Sequence, residues 1–377
     1  MKRRVLITGG AGFLGSHLAD ELLAHDYQVR VLDVLSPQVH GVGGARPGYL
    51  HPDVELIRAD ICHADAVRQA LHGVSAVFHF AAAVGVGQSM YELEKYLGVN
   101  ALGTAVLLEA LMQHPVETLI VASSMSVYGE GLYRAADGSL YTQAERSMAQ
   151  LHAGVWELYD AQGNALKPLP TPESKPAALT SIYALSKYNQ ERMCLMIGRA
   201  YNIPTVALRF FNIFGPRQAL SNPYTGVLAI FASRYLNGQP PMIFEDGRQQ
   251  RDFVSVYDVV QACRLALEAP QAAGRVFNIG SGCALTIAEV AALMGRVLGK
   301  TDLAPCITNR YRTGDIRHCF ADITQAQTVL GYAPRVPLAV GIESMVEWLV
   351  GQIADDQSHL ASAELMKRGL ILSATPS

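Results

Sequence analysis

Short apolar runs rich in β-branched residues alternate with helical patterns through the first third of the chain. RVLITGG is followed by SHLADELLAHD, and the later runs QVRVLDV, VELIRADI, AVFHFAA and TLIVASS alternate with AVRQALHG and NALGTAVLLEALMQH. Parallel strands need crossover connections, and these are right-handed, so helices come to lie on both faces of the sheet. The alternation therefore predicts an α/β fold with a doubly wound parallel sheet.

The alternation stops and later resumes, which suggests how the chain is divided. Residues 131–180 are rich in Gly, Pro, Asp and Ala and show little periodicity, so we interpret them as a long loop or small subdomain inserted into the sheet order. We predict a first domain over residues 1–216, to which later segments could return. The shorter elements that follow predict a smaller mixed α/β lobe over residues 217–350. Residues 351–377 form a C-terminal tail, an amphipathic run and a polar end, from which no function can be read.

Composition narrows the classes of partner. Half of the 377 residues are hydrophobic and 17% are charged, which is enough to bury a large core. A net charge of -3 and a pI near 6.4 give no basic surface for nucleic acid or membrane. The six Cys are scattered without metal-ligand or disulfide spacing, so we predict no metal site. The N-terminal apolar run is broken by glycines and shows no cleavage-type ending, so we expect a cytoplasmic protein.

A glycine-rich turn between a predicted strand and a predicted helix is the first indication of function. VLITGGAGFLGSHLADELL places Gly9, Gly12 and Gly15 at three-residue spacing, which lets the backbone and the helix N-terminus approach a pyrophosphate. An ordinary tight turn needs one glycine rather than three. Asp33 ends the second strand at about the twenty-residue offset of a ribose-binding carboxylate. It would repel a 2'-phosphate, and the next Arg is Arg46, so NAD is favoured over NADP.

Two Tyr–Lys pairs have the spacing of one helical turn, YALSK at 183–187 and YELEK at 91–95. A dehydrogenase could hold a base and its tuning cation in this way, but the spacing alone is weak support for catalysis. The context of each pair has to decide between them.

Several ordered motifs resemble the extended short-chain dehydrogenase/reductase family, which includes the NAD-dependent nucleotide-sugar epimerases and dehydratases. TGGAGFLG resembles its glycine signature, HFAAA its fourth-strand motif, NALGT its following helix, SSMSVYG its serine motif and YALSK its Tyr/Lys pair. LRFFNIFGPR, RDFVSVYDV, VFNIGSG and YRTGDIRH resemble its sugar-nucleotide half. The resemblance covers roughly residues 3–350 and implies a Rossmann-type NAD-binding sheet. It also implies a homodimer through the helices that begin near Tyr91 and at Tyr183.

Order along the chain separates the two Tyr–Lys pairs. In the family the Tyr/Lys helix follows the strand that ends in the serine motif, and only Tyr183 and Lys187 do so. Tyr91 and Lys95 precede that motif, and Lys95 has acidic neighbours in its own segment. We therefore interpret YELEK as a solvated helix face.

The chemistry explains why the family combines Ser, Tyr and Lys. Oxidation of a secondary alcohol requires a base, and a phenol with a pKa of about 10 is a poor one at neutral pH. Positive charge from Lys187 and from oxidised nicotinamide should lower the pKa of Tyr183. Lys187 can also hold the nicotinamide ribose, and Ser124, four residues before the Tyr of VYG, would steady the reacting oxygen. Ser123 and Ser126 are expected to satisfy local backbone groups.

The two residues after Ser124 distinguish reaction types within the family. Dehydratases carry an acid at one of these positions, whereas this chain has Met125 and Ser126, which cannot act in that way. We therefore predict a 4-epimerase, in which hydride leaves sugar carbon 4, a 4-keto sugar forms, and hydride returns to the opposite face. A nucleotide-sugar dehydrogenase or reductase is the alternative. A 4,6-dehydratase and a non-catalytic NAD-sensing scaffold are less favoured.

The resemblance also implies binding residues and a substrate class. The expected NAD-binding residues are Gly9, Gly12, Phe13, Leu14, Gly15, Asp33, Asp60, Ile61, Ala81, Ala82, Asn100, Tyr183 and Lys187. The expected substrate-binding residues are Ser124, Asn212, Val227, Arg251 and Arg312.

Three of these expectations have rivals. Asp60 could contact adenine or cap a strand end, each Arg could form a surface salt bridge, and Tyr224 could stack on the base or simply pack. Residues 218–254 resemble those of bacterial dTDP-L-rhamnose 4-epimerases, which implies a dTDP- or UDP-sugar. UDP-glucuronate or UDP-glucose 4-epimerase is the alternative.

Overall fold

The computed structural model describes residues 3–219, 226–349 and 358–375, so Tyr224 lies outside the described residues. Seven parallel strands form the central sheet. They are β1 Arg4–Thr8, β2 Gln28–Asp33, β3 Glu55–Arg58, β4 Ala76–His79, β5 Thr118–Ser124, β6 Thr205–Phe210 and β7 Val276–Ile279. Their order across the sheet is β7-β6-β5-β4-β1-β2-β3. Strands β2 and β3 are added on one side of β1 and strands β4 to β7 on the other, so the strand order reverses between β1 and β4. Ligands bind at such a switch point, beyond the carboxyl ends of the strands.

Helices cover both faces of this sheet. The longer ones are α1 Phe13–Ala24, α2 Ala64–Leu71, α3 Gly103–Gln113, α4 Ile182–Ala200, α5 Val227–Leu236, α6 Val256–Glu268, α7 Ile287–Val297, α8 Thr324–Leu330, α9 Leu338–Leu349 and α10 Ser358–Lys367. Shorter helical segments are Pro37–His40, Val86–Ser89, Leu93–Tyr96, the π-helical Leu97–Leu102, Met125–Tyr128, Met148–His152 and Pro270–Ala272. Among the described residues, no helix has both the length and the apolar character needed to cross a membrane.

Alternate residues of each strand feed two separate cores. Val5 and Ile7 of β1 pack with α1 and α6 on one face, whereas Leu6 packs with α2 and α3 on the other. Side chains alternate across a strand, so a parallel sheet covered on both faces needs the continuous apolar runs seen in the sequence. The predicted doubly wound α/β fold is confirmed.

Residues after Pro216 contribute to both parts of the molecule. α6, β7 and α8 return to the central sheet, while α5, α7 and α9 surround a separate core that contains Phe231, Val290 and Ile342. Strand Asn212–Phe214, just before Pro216, pairs with one of the short strands that join these elements. Those short strands are Met242–Ile243, Gln250–Arg251, Phe253–Ser255, Leu285–Thr286, Cys306–Ile307, Arg310–Arg312 and His318–Cys319. This separate core forms the smaller mixed α/β lobe.

The insertion and the C-terminus have regular structure of their own. Strands Leu132–Arg134, Leu140–Tyr141 and Lys167–Leu169 form a small antiparallel sheet within residues 131–180. Near the C-terminus, strand Ile371–Ser373 follows α10 and pairs antiparallel with Arg310–Arg312. Leu372 packs with Trp156 of the insertion in one small cluster. The two segments that showed the weakest sequence patterns therefore meet in space.

Candidate active site

A cavity of about 750 Å³ opens beyond the carboxyl ends of β1, β4 and β5 and continues to the smaller lobe. Every residue predicted to bind cofactor or substrate or to act in catalysis lines it, except Asn100. The structure thus brings together residues that the sequence spreads from Gly9 to Arg312.

Each glycine of the turn between β1 and α1 meets a different physical demand. Gly9 has a φ of 69°, and a Cβ there would lie 2.8 Å from the backbone nitrogen of Ala81. A Cβ on Gly15 would lie 2.5 Å from Gly10 Cα, so only glycine lets these backbones approach. Gly12 is the N-cap of α1 and offers no side chain to the first-turn N–H groups. The N-terminus of α1 is therefore open towards the cavity.

Asp33 is held in place by backbone donors at the end of β2. Its carboxylate accepts hydrogen bonds from Ala11 N at 2.9 Å and Leu35 N at 2.8 Å. His40 Nε2 lies 3.9 Å from Asp33 Oδ1, and burial lowers the pKa of His40. His40 also lines the cavity and was missed from the sequence, because no motif marks the helical turn on which it lies.

Asp60 and Asn100 support the same edge of the sheet in different ways. Asp60 accepts a hydrogen bond from Cys62 N at 2.9 Å, so it caps the strand end, one of its two predicted roles, while also lining the cavity. Asn100 is buried within the π-helical segment. Its Oδ1 accepts from Ala83 N at 2.7 Å, and its Nδ2 donates to Ser186 Oγ at 2.9 Å. Asn100 therefore fixes the loop after β4 against α4.

Ser124, Tyr183 and Lys187 converge where β5 meets α4. Ser124 ends β5, and Ser181 caps α4 by accepting a hydrogen bond from Ala184 N at 3.1 Å. Burial raises the pKa of Tyr183, and a hydrogen bond with Ser124 opposes that rise. Burial lowers the pKa of Lys187 to about 8. The three groups lie together on one side of the cavity.

A buried polar chain holds Lys187 in its position. Lys187 Nζ donates to Gln190 Oε1 at 2.6 Å, and Gln190 Nε2 donates to Thr104 Oγ1 at 3.0 Å. Thr104 Oγ1 lies 2.8 Å from Nε2 of His79, whose Nδ1 lies 2.8 Å from Thr8 Oγ1. Sequence reasoning missed Gln190, although its position three residues after Lys187 places it on the same helical face.

The two serines beside Ser124 do not satisfy backbone groups as expected. Ser126 Oγ donates to Ser124 Oγ at 2.9 Å, and Ser123 Oγ donates to Glu191 Oε2 at 2.6 Å. The expectation was wrong because α4 packs across the end of β5 and brings Glu191 to Ser123. The turn after Ser124 brings Ser126 back over its hydroxyl.

The second Tyr–Lys pair matches the predicted solvated helix face only at Lys95, because the helical turn is Leu93–Tyr96 and Tyr91 precedes it and is half-buried. Lys95 Nζ donates to Glu92 Oε2 at 2.9 Å and to Gln38 Oε1 at 2.8 Å. The Arg368 guanidinium stacks over the Tyr91 ring at 4.2 Å. Lys95 is thus occupied by surface partners, as the solvated helix face requires.

The smaller lobe presents polar groups that could hold an anion. Among the described residues, the donor Arg312 Nε is buried without a hydrogen-bond partner, and so is the acceptor Asn212 Oδ1, so Asn212 would meet an anion through its Nδ2. Arg312 stacks over the Phe244 ring at 4.5 Å. Arg251 is anchored by the backbone carbonyls of Gln250 and Arg317 at 2.9 and 3.0 Å, and its side chain is largely buried. Arg251 also pairs with the partly exposed Asp315 at 3.4 Å, so the rival prediction of a salt bridge applies to it in part, whereas no such pair is seen for Arg312 among the described residues.

Four further residues line the cavity from the C-terminal part of the chain. They are Ala361, Ser362, Leu365 and Leu370. The amphipathic run was the only signal for them, and it did not indicate which surface the helix covers.

The fold and this convergence of Ser, Tyr and Lys define a protein of the short-chain dehydrogenase/reductase class. The model of the NAD dependent epimerase/dehydratase family matches residues 5–280, and the chain belongs to that family. It is 34% identical over 355 residues to a dTDP-L-rhamnose 4-epimerase of Burkholderia thailandensis, covering 93% of this chain and 96% of the relative.

Solved structures show the same relationship. A UDP-glucose 4-epimerase of Thermotoga maritima with UDP-glucose is 30% identical, with a TM-score of 0.75, covering 92% of this chain and 99% of that one. A UDP-glucuronic acid 4-epimerase of Bacillus cereus, solved with UDP-glucuronic acid and NAD, is 27% identical. Its TM-score is 0.74, and the same shares, 92% and 99%, are covered. The predicted family is confirmed.

Proposed function

We propose that the protein is an NAD-dependent nucleotide-sugar 4-epimerase. The observation that carries this proposal is the placement of Ser124, Tyr183 and Lys187 on one cavity wall. In addition, Met125 and Ser126 occupy the two positions after Ser124 at which a dehydratase needs an acid. The 34% identity to a dTDP-L-rhamnose 4-epimerase supports it. A dTDP-sugar such as dTDP-L-rhamnose, or a related UDP-sugar, is the proposed substrate.

The residues at the β1–α1 turn fit a dinucleotide. Close backbone approach at Gly9 and Gly15 and the uncapped N-terminus of α1 suit a pyrophosphate, and the carboxylate of Asp33 suits a ribose diol. Bound NAD supplies a reversible hydride acceptor. The proposed binding set includes the predicted residues that line the cavity, whereas Asn100 would act by positioning the loop at Ala83.

Tyr183 is the proposed base and acid. Its phenolate would take the proton of the hydroxyl at sugar carbon 4 while hydride leaves that carbon for bound NAD. After the 4-keto sugar turns over and hydride is returned to its opposite face, Tyr183 would give the proton back to the oxygen at carbon 4. Because burial raises the pKa of Tyr183, a neighbouring cation has to favour the phenolate. Lys187, whose pKa is about 8, is cationic at neutral pH and loses that role as pH rises above about 8. Ser124 would hold the reacting oxygen throughout.

The smaller lobe is the proposed nucleotide-sugar site. Asn212, Arg251 and Arg312 would hold the diphosphate, with Val227 at the start of α5 beside them. Firm contacts to the diphosphate leave the sugar free to turn between the two hydride transfers. Residues 1–216, together with β7 and the helices beside it, would form the nucleotide-binding part, and 217–350 most of the substrate lobe.

A homodimer in the cytoplasm is the proposed setting. Leu97 and Leu102 in the helical region before α3, and Leu185 and Met196 on α4, present exposed apolar side chains on helices that pack side by side. Burying them against a second copy would remove apolar surface from water. Light scattering that gives a monomer mass would contradict the dimer.

Product analysis tests the activity. The protein with NAD would be incubated separately with dTDP-L-rhamnose, UDP-glucose and UDP-glucuronate, and the sugars separated by chromatography and identified by NMR. A pair of carbon-4 epimers at equilibrium is expected. A 4-keto-6-deoxy product with loss of water would overturn the proposal. A stoichiometric rise in reduced-nicotinamide absorbance would instead indicate a dehydrogenase.

A further inference from the structure

Residues 358–373, here called the C-terminal segment, form part of the cavity wall. α10 contributes Ala361, Ser362 and Leu365, and the turn after it contributes Leu370. Ala361 and Leu365 are buried although they belong to a helix near the end of the chain. The segment is therefore packed onto the cavity rather than projecting from it.

One end of the segment reaches the surroundings of Tyr183. The three heavy atoms nearest to a Cβ placed on Gly87 all belong to the Leu365 side chain, the first at 3.1 Å. Gly87 lies in the turn Val86–Ser89, and Ser89 Oγ accepts a hydrogen bond from Tyr183 N at 3.0 Å. α10 is thus separated from the N-terminus of α4 by a single turn.

The other end is fixed to the strand that carries Arg312. Ile371–Ser373 pairs antiparallel with Arg310–Arg312, with Ile371 opposite Arg312. Thr313 N donates to Leu370 O at 3.1 Å. The sugar has to lie between the proposed base and the proposed diphosphate site. The C-terminal segment spans that interval, so it borders the sugar.

The side chains around this interval are apolar or carry hydroxyls. Val84, Val86 and Met90 are exposed to 55%, 43% and 37%, and all three line the cavity with Ala361 and Leu365. Hydroxyls come from Ser126, Thr180, Ser181 and Ser362.

Charged side chains also line the cavity, and one of them, Arg312, is on the strand that pairs with the C-terminal segment. Among the described lining residues they belong to the nucleotide-binding strands, to Lys187 and to the smaller lobe. Arg312 on the paired strand is stacked over Phe244. With Arg312 engaged by the diphosphate, as proposed above, a sugar carboxylate enclosed at the C-terminal segment would lack a cationic partner, which is costly in a buried site.

We propose that the C-terminal segment determines sugar specificity. Ala361, Leu365 and Leu370 form an apolar wall that accepts an uncharged substituent at sugar carbon 5, best the methyl group of a 6-deoxyhexose, and disfavours a uronate. The inference rests on the proposed epimerase function and adds the substrate class. Contact of Leu365 with a methyl group removes apolar surface from water, whereas a carboxylate there loses its hydration without compensation.

The test uses nucleotide sugars that differ only at carbon 5. With whichever nucleoside and hexose configuration the protein epimerises, kcat/KM is measured for the 6-deoxyhexose, the parent hexose and the uronate in the presence of NAD. The 6-deoxy sugar should exceed the uronate at least tenfold, with the parent hexose between them. Equal values or preference for the uronate would overturn the inference. If neither these sugars nor dTDP-L-rhamnose is epimerised, the proposed function itself fails.

Variants on α10 locate the preference. Ser362→Arg places a cation at the wall and should raise the uronate to 6-deoxy ratio of kcat/KM at least fivefold. Ala363→Arg is the matched control, since Ala363 is exposed on the same helix and does not line the cavity, and its ratio should stay as in the wild type. Leu365→Ala should lower kcat/KM for the 6-deoxy sugar about tenfold more than for the uronate.

A purely structural role for the segment predicts a different pattern. It would lower kcat/KM equally for all three sugars in every variant and leave the ratio unchanged. An unchanged ratio in both Ser362→Arg and Leu365→Ala, in protein that still epimerises, would overturn the inference while leaving the proposed function intact.

Discussion

The two walls of the cavity are built in different ways. The nucleotide wall, residues 4–124, is one continuous stretch in which successive strands and helices add to the same sheet. The substrate wall combines residues 242–253, 310–319 and 358–373, which are distant in the chain, and residues 130–157 of the insertion pack behind it. Local alternation therefore builds the first wall, whereas the second depends on long-range contacts.

The walls also bury ionisable groups in opposite states. In the nucleotide wall, burial together with the charge of Arg217 lowers the pKa of His17 to about 4, and burial lowers that of His79 to about 3, so both are neutral. In the substrate wall, the Arg317 side chain is fully buried and ion-paired with Glu157, whose pKa is lowered to about 2 by its hydrogen bonds with His318 and Arg317.

The largest effect is expected where the two walls meet, at Tyr183. Tyr183→Phe removes the proposed base and should lower kcat at least a thousandfold, about 4 kcal/mol of barrier, while nucleotide-sugar binding persists. Tyr91→Phe is the matched control from the other Tyr–Lys pair and should stay within about twofold of the wild type. Epimer formation is followed by chromatography and binding by calorimetry. Full activity of Tyr183→Phe would refute the proposed mechanism.

Arg317 should hold the substrate wall together. Its guanidinium donates to Glu245 at 2.9 Å and to Asp246 at 2.7 Å, and it also pairs with Glu157 of the insertion. Arg317→Met would remove the cation from Asp246 and leave Glu245 paired with Arg146 alone, at a cost of about 3–4 kcal/mol in the free energy of unfolding. Arg68→Met, which breaks an exposed pair with Asp65, should cost less than about 1 kcal/mol.

Urea unfolding of both arginine variants measures that difference. Similar costs for the two would show that the buried network is not what fixes the substrate wall. A larger cost for Arg317→Met, accompanied by loss of nucleotide-sugar binding, would show that the distant segments depend on this side chain.

The neutral histidine of the nucleotide wall should give a distinct pH dependence. The pKa of His17 is lower in the folded state than the unperturbed value of about 6.5, so the unfolded chain binds more protons as pH falls. The contribution of neutral His17 to the free energy of unfolding is therefore fully present above pH 6.5 and is lost as pH falls towards about 4. Between pH 7 and 5 the free energy of unfolding of the wild type should fall by about 2 kcal/mol relative to that of His17→Gln, which lacks the titrating group.

Glu157 should show its effect in a lower pH range. Its folded-state pKa is lowered, so its contribution is present above about pH 4.5 and is lost as pH falls towards about 2. The difference in free energy of unfolding between the wild type and Glu157→Gln should therefore be nearly constant from pH 7 to 5. Urea unfolding at pH 7, 6 and 5 compares the two variants. A gap for His17→Gln that does not change with pH would contradict the assignment of a neutral buried histidine.

The nucleotide wall could be predicted because its determinants are local. Gly9, Gly15 and Asp33 lie at fixed offsets from strands that their own apolar runs reveal. By contrast, Leu365 borders the cavity only because strand Ile371–Ser373 pairs with a strand about sixty residues earlier, and short sequence patterns carry no register between distant strands. The contact of Ser123 with Glu191 was missed for the same reason, since it depends on how α4 crosses β5.

The smallest effect is expected at Ser126, where the sequence suggested a different partner. Its hydroxyl donates to Ser124 Oγ and so orients the lone pairs and proton with which Ser124 meets Tyr183 and the reacting oxygen. Ser126→Ala should lower kcat about fivefold, as expected for the loss of one hydrogen bond worth about 1 kcal/mol, with little change in KM.

Ser123→Ala is the informative neighbour, because its hydroxyl bonds Glu191 rather than Ser124 and its loss should lower stability more than turnover. If both variants lose stability and keep the wild-type kcat, Ser126 serves only to pack the turn after β5. Orientation of Ser124 would then have to come from its own place at the end of the strand.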